Sequence, residues 1–240
     1  MAQALDAILM ILQIFEALYD DHIQLSLQEW KDLVENPLND GTDTGKLVWC
    51  MARTASCLQR RRAALKPENF DRSALFSIKE ELSTLALEVD PVLQALRQQY
   101  EDCGAVMASK LPATMDKGRF LHSYCCRAYA LGLSFALLIQ LLLETYSTND
   151  TSGDDSDNVY VAGILRMCEE VAIYKPLGAM SMIACLCIAC MGAGNSGQSK
   201  MVVDTLVCYR QDIIRSGSPI DAKALEEVKS HMTLNTRIAI

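Results

Sequence analysis

The stretch Met191–Lys200, "MGAGNSGQSK", holds the residues whose types and spacing come nearest to a phosphate cradle. Read from Gly192 it is G-x-G-x-x-G, the pattern in which glycines let a backbone approach a pyrophosphate at a helix N-terminus. Read again it is G-x-x-x-x-G-x-S, a P-loop with Gln198 where the lysine belongs. Either chemistry needs a strand to deliver the glycines. The preceding "MSMIACLCIACM" is rich in Ala, Met, Leu and Cys and poor in β-branched residues, so it reads as helix. Gln198 cannot supply the point charge of the P-loop lysine, and Lys200 comes two positions late. A helix ending at Gly192 or Gly194, followed by Asn195 or Ser196 capping the next helix, accounts for every residue present.

The remaining chemistry-bearing residues are dispersed. Cys187 and Cys190 form C-x-x-C with Cys185 nearby, but a pair of thiols in an apolar helix lacks the four ligands of a zinc site. They read as small hydrophobes, as do Cys125 and Cys126. His22, His122 and His231 are the histidines, and none falls in H-E-x-x-H or beside G-x-S-x-G. His122 has Tyr124, Arg127 and Tyr129 close along one helix. Such a group can orient the polar end of a ligand, or serve as a satisfied interior network. Glu80–Glu81 and Glu169–Glu170 are adjacent on helices and so diverge, as solvated faces do. No catalytic residue, cofactor or metal site is assigned. The candidate ligand-binding residues are His122, Tyr124, Tyr129 and Tyr174.

Helices must position these groups. With 240 residues, half of them hydrophobic and 22% charged, the chain has the composition of a folded protein. A net charge of −8 argues against a main task of gripping nucleic acid through phosphates. The dense basic run Arg60-Arg61-Arg62 reads as a solvated helix end. The N-terminus lacks a basic leader, and Leu5, Ile8, Leu12, Phe15 and Tyr19 recur at helical spacing, as in a core helix. Ten cysteines then fit a reducing, intracellular setting, nucleus or cytoplasm. The uncharged run from Ala128 to Leu143 is shorter than the ~20 residues of a membrane span. It and the run leading to Met191 read as two helices buried on all sides, with no membrane involved.

Start signals for helices recur along the chain. Ser26 and Glu29 form a capping box ahead of a helix that Pro37 closes. "NDGTDTG" reads as a loop, followed by a helix from about Lys46 to Leu65. A helix begins after Asp71, with Leu75, Ile78, Leu82, Leu85 and Val89 on one face. Asp90-Pro91 reads as an N-cap and first helical proline, opening another. A long helix is expected from about Asp116 to Tyr146. Further helices are expected over Val159–Tyr174, Leu177–Met191, Gln198–Arg215 and Ile220–His231. Residues 147–158 read as an acidic flexible loop without EF-hand spacing. The predicted fold is all-α: a single domain over 1–240, an irregular bundle of about nine or ten helices around two buried apolar ones.

The segments "RFLHSYCCRAYALGLSFALLIQLLLETY", "ILRMCEEVAIYKPLGAMSMIACLCIACMGA" and "MVVDTLVCYRQDI" resemble the C-terminal, non-DNA-binding region of fungal binuclear zinc-cluster transcription factors. In that family a helix of this kind precedes a short helix ending in a Tyr-x-Pro-Leu-Gly turn, here Tyr174-Lys175-Pro176-Leu177-Gly178. "HIQLSLQEWKDL" is similar to the family's lead into an amphipathic helix. The resemblance spans about residues 10 to 215. The family's six-cysteine basic module has no counterpart here, since Cys50 and Cys57 lack the C-x-x-C halves.

The resemblance implies a transcription-factor-like regulatory domain that controls fungal secondary-metabolism genes without direct nucleic-acid contact. It implies as partner a small apolar metabolite, another protein, or both, and it admits a homodimer. The two buried helices would wall any pocket. An alternative is a metal-free enzyme of natural-product biosynthesis, a cyclase or isomerase working by shape and a few hydrogen bonds.

Overall fold

The computed structural model describes residues 11, 13–18, 20, 22–23, 25–38, 42–108, 115–147, 157–175, 181–213, 227, 229–230 and 232–238. Among them there is no strand; the protein is all-α. Seven α-helices are bounded: α1 Leu27–Leu38, α2 Asp43–Ala64, α3 Arg72–Ala108, α4 Met115–Glu144, α5 Val159–Val171, α6 Ser181–Gly192 and α7 Ser196–Ile213. Residues 13–18 are also helical. The 3-10 turns Pro67–Asn69 and Ala172–Tyr174 follow α2 and α5.

Local chemistry explains most helix starts. The Ser26 N–H donates to Glu29 Oε2 at 2.7 Å, and the Glu29 N–H to Ser26 Oγ at 3.2 Å, which closes the expected capping box. Thr42 Oγ1 accepts from the Gly45 N–H, so α2 begins inside the stretch expected to be loop. Asp71 Oδ1 accepts from the Ala74 N–H at the head of α3, and Asn158 Oδ1 from Tyr160 and Val161 at the head of α5.

Two prolines expected to bound helices lie inside them. α1 runs through Pro37 to Leu38. α3 continues unbroken for 37 residues across Asp90-Pro91, so no new helix opens there. Proline removes one intrahelical hydrogen bond, that to the Leu87 carbonyl. Pro91 is exposed and Leu87 is 76% exposed, so this loss falls on the face that water can reach. The apolar stripe of Leu75, Ile78, Leu82, Leu85 and Val89 is buried and continues as Val92, Leu93, Leu96 and Tyr100. At about 1.5–3 kcal/mol per buried large side chain, that stripe outweighs a proline cost of about 3 kcal/mol.

The chain forms two compact units. One comprises Met1–Asp90, Ile139–Asp150 and Glu226–Ile240; the other Pro91–Leu138 and Thr151–Leu225. The proline thus marks where α3 passes from one unit to the next.

In the first unit α1 packs on α2. Trp30, Leu47, Met51 and Leu58 are fully buried there, with Ile14 and Leu18 of the N-terminal helical stretch. Of the N-terminal periodic set, Phe15 is described and buried, while Leu5, Ile8, Leu12 and Tyr19 lie outside the described residues. The run Arg60-Arg61-Arg62 is not a solvated end. Arg61 has no exposed surface, because the C-terminal segment covers it, and Arg62 is buried. Arg61 Nε donates to Thr233 Oγ1 at 2.7 Å, and Nη2 to the Thr233 and Thr236 carbonyls at 3.2 and 2.9 Å. Its guanidinium lies 4.7 Å from the Tyr146 ring centroid. Arg62 donates to the Leu18 carbonyl, and Arg60 pairs with Glu81. The Ile238 N–H donates to the Thr145 carbonyl at 2.8 Å, securing the same segment.

In the second unit α5, α6 and α7 pack on one another. Every residue from Ala130 to Leu138 of α4 is buried, and so is most of α6. Gly163 of α5 and Gly192 of α6 abut leucines one turn apart on α4. A Cβ on Gly163 would stand 2.8 Å from Leu133 Cδ1, and one on Gly192 would stand 2.6 Å from Leu137 Cδ1. The helices meet there with nothing between them. Among the described residues one helix, Gly118–Glu144, is long and apolar enough to cross a membrane, and 72% of its most apolar window is buried inside the protein.

The expected start of a helix at Leu177, the 220–231 helix except 227, 229 and 230, and the acidic segment over 148–156 lie outside the described residues. Arg61→Ala should lower unfolding stability by about 2 kcal/mol or more, since charged hydrogen bonds contribute about 1.5–3 kcal/mol and three acceptors lose their donor. Urea melts of the variant and the parent check this, with limited proteolysis reading whether residues 232–238 come loose.

Candidate functional site

The glycine stretch is a helix turn. α6 ends at Gly192 and α7 begins at Ser196, with Asn195 as its cap: Asn195 Oδ1 accepts from the Gln198 N–H at 2.8 Å. Gln198, standing where a P-loop has lysine, is buried and committed to structure. Its Oε1 accepts from the Asn158 and Gly194 N–H groups at 3.1 and 3.0 Å, and its Nε2 donates to the Asn158 carbonyl at 3.0 Å. One amide therefore satisfies both backbone groups of the α5 cap residue. The Asn195 amide adds a bond to Asp157 at 2.7 Å. The amides near the glycines are used in holding α7 to the start of α5.

A second group of side chains converges in the same unit. From α4 comes His122, 7% exposed. Its Nδ1 lies 2.9 Å from the Tyr174 hydroxyl, and its Nε2 lies 3.8 Å from Glu170 Oε2. One turn on, the buried Cys126 thiol is 3.6 Å from His122 Nε2. From α3 comes Tyr100, whose hydroxyl donates to Glu170 Oε1 at 3.2 Å and accepts from Arg166 Nη2 at 3.2 Å. The Tyr100 ring stacks on Tyr129 at 6.1 Å between centroids and lies 6.0 Å from the imidazole. The result is a chain of polar contacts, Arg166–Tyr100–Glu170–His122–Tyr174, that runs from an exposed guanidinium through the buried imidazole to the half-buried Tyr174 phenol.

Each contributing helix supplies its groups at helical spacing. Arg166, Glu170 and Tyr174 recur every four residues along α5 and the 3-10 turn after it, and so share one side. His122, Cys126 and Tyr129, spaced by four and then three residues, share one side of α4. Of the four residues singled out in the sequence, His122, Tyr129 and Tyr174 come together here. Tyr124 does not: two residues beyond His122 it lies roughly 200° round the helix, and it is 38% exposed. Arg127 instead donates to the Ser123 carbonyl of its own helix. Glu169–Glu170 diverge as expected, Glu169 to solvent, but Glu170 is a member of the site rather than a solvated residue. Tyr100, Arg166 and Glu170 were missed by the sequence reading, although the four-residue spacing that leads to Tyr174 was visible.

Burial, then the Glu170 carboxylate, pushes the Tyr100 phenol up from its ordinary value. Burial and then Cys126 do the same for Tyr174. Burial, reinforced by Glu170, pushes the Cys126 thiol up to about 12. At neutral pH the phenols are therefore hydrogen-bonding alcohols, and Cys126 is a protonated thiol rather than a nucleophile. What the group can do chemically is hold one polar atom between donors and a carboxylate, beside aromatic rings. Among the described residues no three His, Cys, Asp or Glu side chains are placed to hold a metal ion. Cys185 and Cys190 are buried; burial pushes Cys185 up to about 12 and Cys187 up to about 11.

Comparison with family models, with curated proteins and with solved structures finds no match to this chain.

Gln198→Ala leaves the Asn158 and Gly194 N–H groups without their acceptor, so unfolding stability should fall by about 1–3 kcal/mol. Gln198→Lys should fall at least as far, because it buries a charge there. Denaturant midpoints with unchanged m-values check both.

Proposed function

We propose that this chain is a transcription-factor-like regulatory domain, similar in kind to the non-DNA-binding region of fungal zinc-cluster factors. Its ligand is a small, mainly apolar metabolite with one polar end. The observation that carries this reading is the convergence of His122, Tyr174, Tyr100 and Glu170 from separate elements onto one place beside the Tyr129 ring. Such groups recognise a hydroxyl or carbonyl by hydrogen bonds, while the rings cover the adjoining apolar carbon. A ligand that prefers one packing of α3, α4 and α5 shifts the population of helical arrangements that a partner protein meets. The acidic net charge of −8 supports regulation through protein contacts in place of DNA phosphates.

The two most apolar helices, α4 and α6, are not the favoured ligand walls. α4 and α6 touch at Gly192 and Leu137 too closely to admit a guest. The place favoured is the partly exposed polar cluster, where the Glu170 side chain is 38% exposed.

The test uses full-length protein purified from its own host and examined by native mass spectrometry. A retained metabolite of a few hundred daltons is expected. Tyr174→Phe and His122→Ala should each weaken its binding about tenfold, the equivalent of about 1.4 kcal/mol. Retention that both variants leave unchanged would refute this site. Gel-shift titration of the same protein should give no sequence-specific DNA complex.

One observation favours a second reading, an isomerase or cyclase. His122 lies between a carboxylate and a phenol, an arrangement suited to moving a proton on a bound substrate. Under that reading the bound molecule leaves chemically altered, and His122→Ala abolishes turnover while changing binding less.

A further inference from the structure

Beside the polar cluster, α3 and α4 also meet through sulfur. Cys103 lies one turn beyond Tyr100 on α3, and Cys125 lies one turn beyond His122 on α4. Their Sγ atoms are 3.1 Å apart and share a hydrogen bond. A disulfide bond is about 2.05 Å long, so each sulfur has to travel only about half an ångström to close one. The stacked Tyr100 and Tyr129 rings, on the same two helices, hold this spacing from a neighbouring turn.

The pair is asymmetric in access. Cys125 is buried, whereas Cys103 is part-exposed. A Cβ added at the adjoining Gly104 would meet nothing within 4 Å, so the α3 surface beside Cys103 is open to a small oxidant. Burial, then the neighbouring Cys103 thiol, holds Cys125 up at about 12, and exposure makes Cys103 the sulfur that a dissolved oxidant meets first.

We propose that Cys103 and Cys125 are an oxidation site, closed by a small hydroperoxide into a disulfide that fastens α3 to α4 next to His122. The Cys103 sulfur, as thiolate, attacks one peroxide oxygen. The O–O bond breaks, and the other oxygen leaves and takes up a proton as water or alcohol. Cys103 is then a sulfenic acid. The Cys125 sulfur attacks the Cys103 sulfur, the S–O bond breaks, and the departing hydroxide takes the Cys125 proton and leaves as water. Two thiols have lost two electrons, and the hydroperoxide has gained them.

The crosslink joins the helix carrying Tyr100 to the helix carrying His122 and Tyr129. It therefore fixes the arrangement of rings that the ligand-binding reading above depends on. That consequence rests on the reading; the oxidation itself does not.

Hydrogen peroxide added to the full chain, in a Cys208→Ser background that removes the exposed thiol, provides the test. Thiols are counted after unfolding, and peptides are mapped without reduction. Two thiols should disappear together, the Cys103 and Cys125 peptides should be joined, and dithiothreitol should restore both. Cys103→Ser should abolish the crosslink. Because Cys103 is part-exposed, that variant keeps the test decisive even where Cys125→Ser fails to fold. A first product with Cys103 joined to another cysteine, or overoxidised while Cys125 stays free, overturns the proposal. With the crosslink formed, a metabolite bound equally well by oxidised and reduced protein overturns only the link to the ligand site.

Discussion

A helix without a polar face has to be enclosed, and α4 imposes that constraint on this protein. From Ala130 to Ile139 it offers only buried side chains, and the one hydroxyl among them, on Ser134, is turned back to the Ala130 carbonyl at 2.8 Å. Water removed from such a stretch stabilises the fold only where neighbours come into close contact. Glycines supply that contact in the second unit. Gly163 and Gly192 bring α5 and α6 against Leu133 and Leu137, where any side chain would collide. The polar cluster begins where the enclosed stretch stops, with Tyr129, Cys126 and His122 toward the N-terminal end of α4. Sealed interior and polar fringe are consecutive turns of one helix.

Several polar side chains drawn into the interior end on backbone groups of distant segments. Arg61 carries a full charge into a place with no exposed surface, where it donates to two carbonyls and a threonine hydroxyl. Burial lowers its pKa, yet an arginine stays charged because its starting value is so high. Gln198 does the same without charge, matching the donor and acceptor of a single residue. The Tyr209 hydroxyl donates to the Cys168 carbonyl. These side chains tie segments distant in sequence together, which apolar packing alone would leave free to slide.

The helical class was legible because its signals are local. Capping at Ser26–Glu29 and the apolar stripe of α3 depend on residues within a few positions of one another. The turn at 192–196 was legible for the same reason, since glycine and asparagine chemistry does not wait for tertiary structure. The misread features depend on distant partners. The stripe on both sides of Pro91 is visible, but that its burial outweighs the proline depends on what packs against it. Nothing near Arg61 indicates that residues 233–236 will cover it. At the site, His122 and Tyr174 could be selected as residue types. Glu170 could not, because its role comes from Tyr100, seventy positions away.

Sulfur is spread through this interior as a small apolar filler, and seven of the ten cysteines are buried. Burial holds Cys50 at about 11 and Cys57 and Cys185 at about 12, so near pH 8 the thiolate form is on the order of a thousandth or less of each. A thiol in that state reacts with an alkylating reagent only when its helix lets go. The molecule thus carries a set of internal stopwatches: Cys50 and Cys57 time the opening of α2, Cys185 and Cys190 that of α6. Pulse labelling followed by mass mapping would rank the helices by how often each comes apart, without adding any foreign probe.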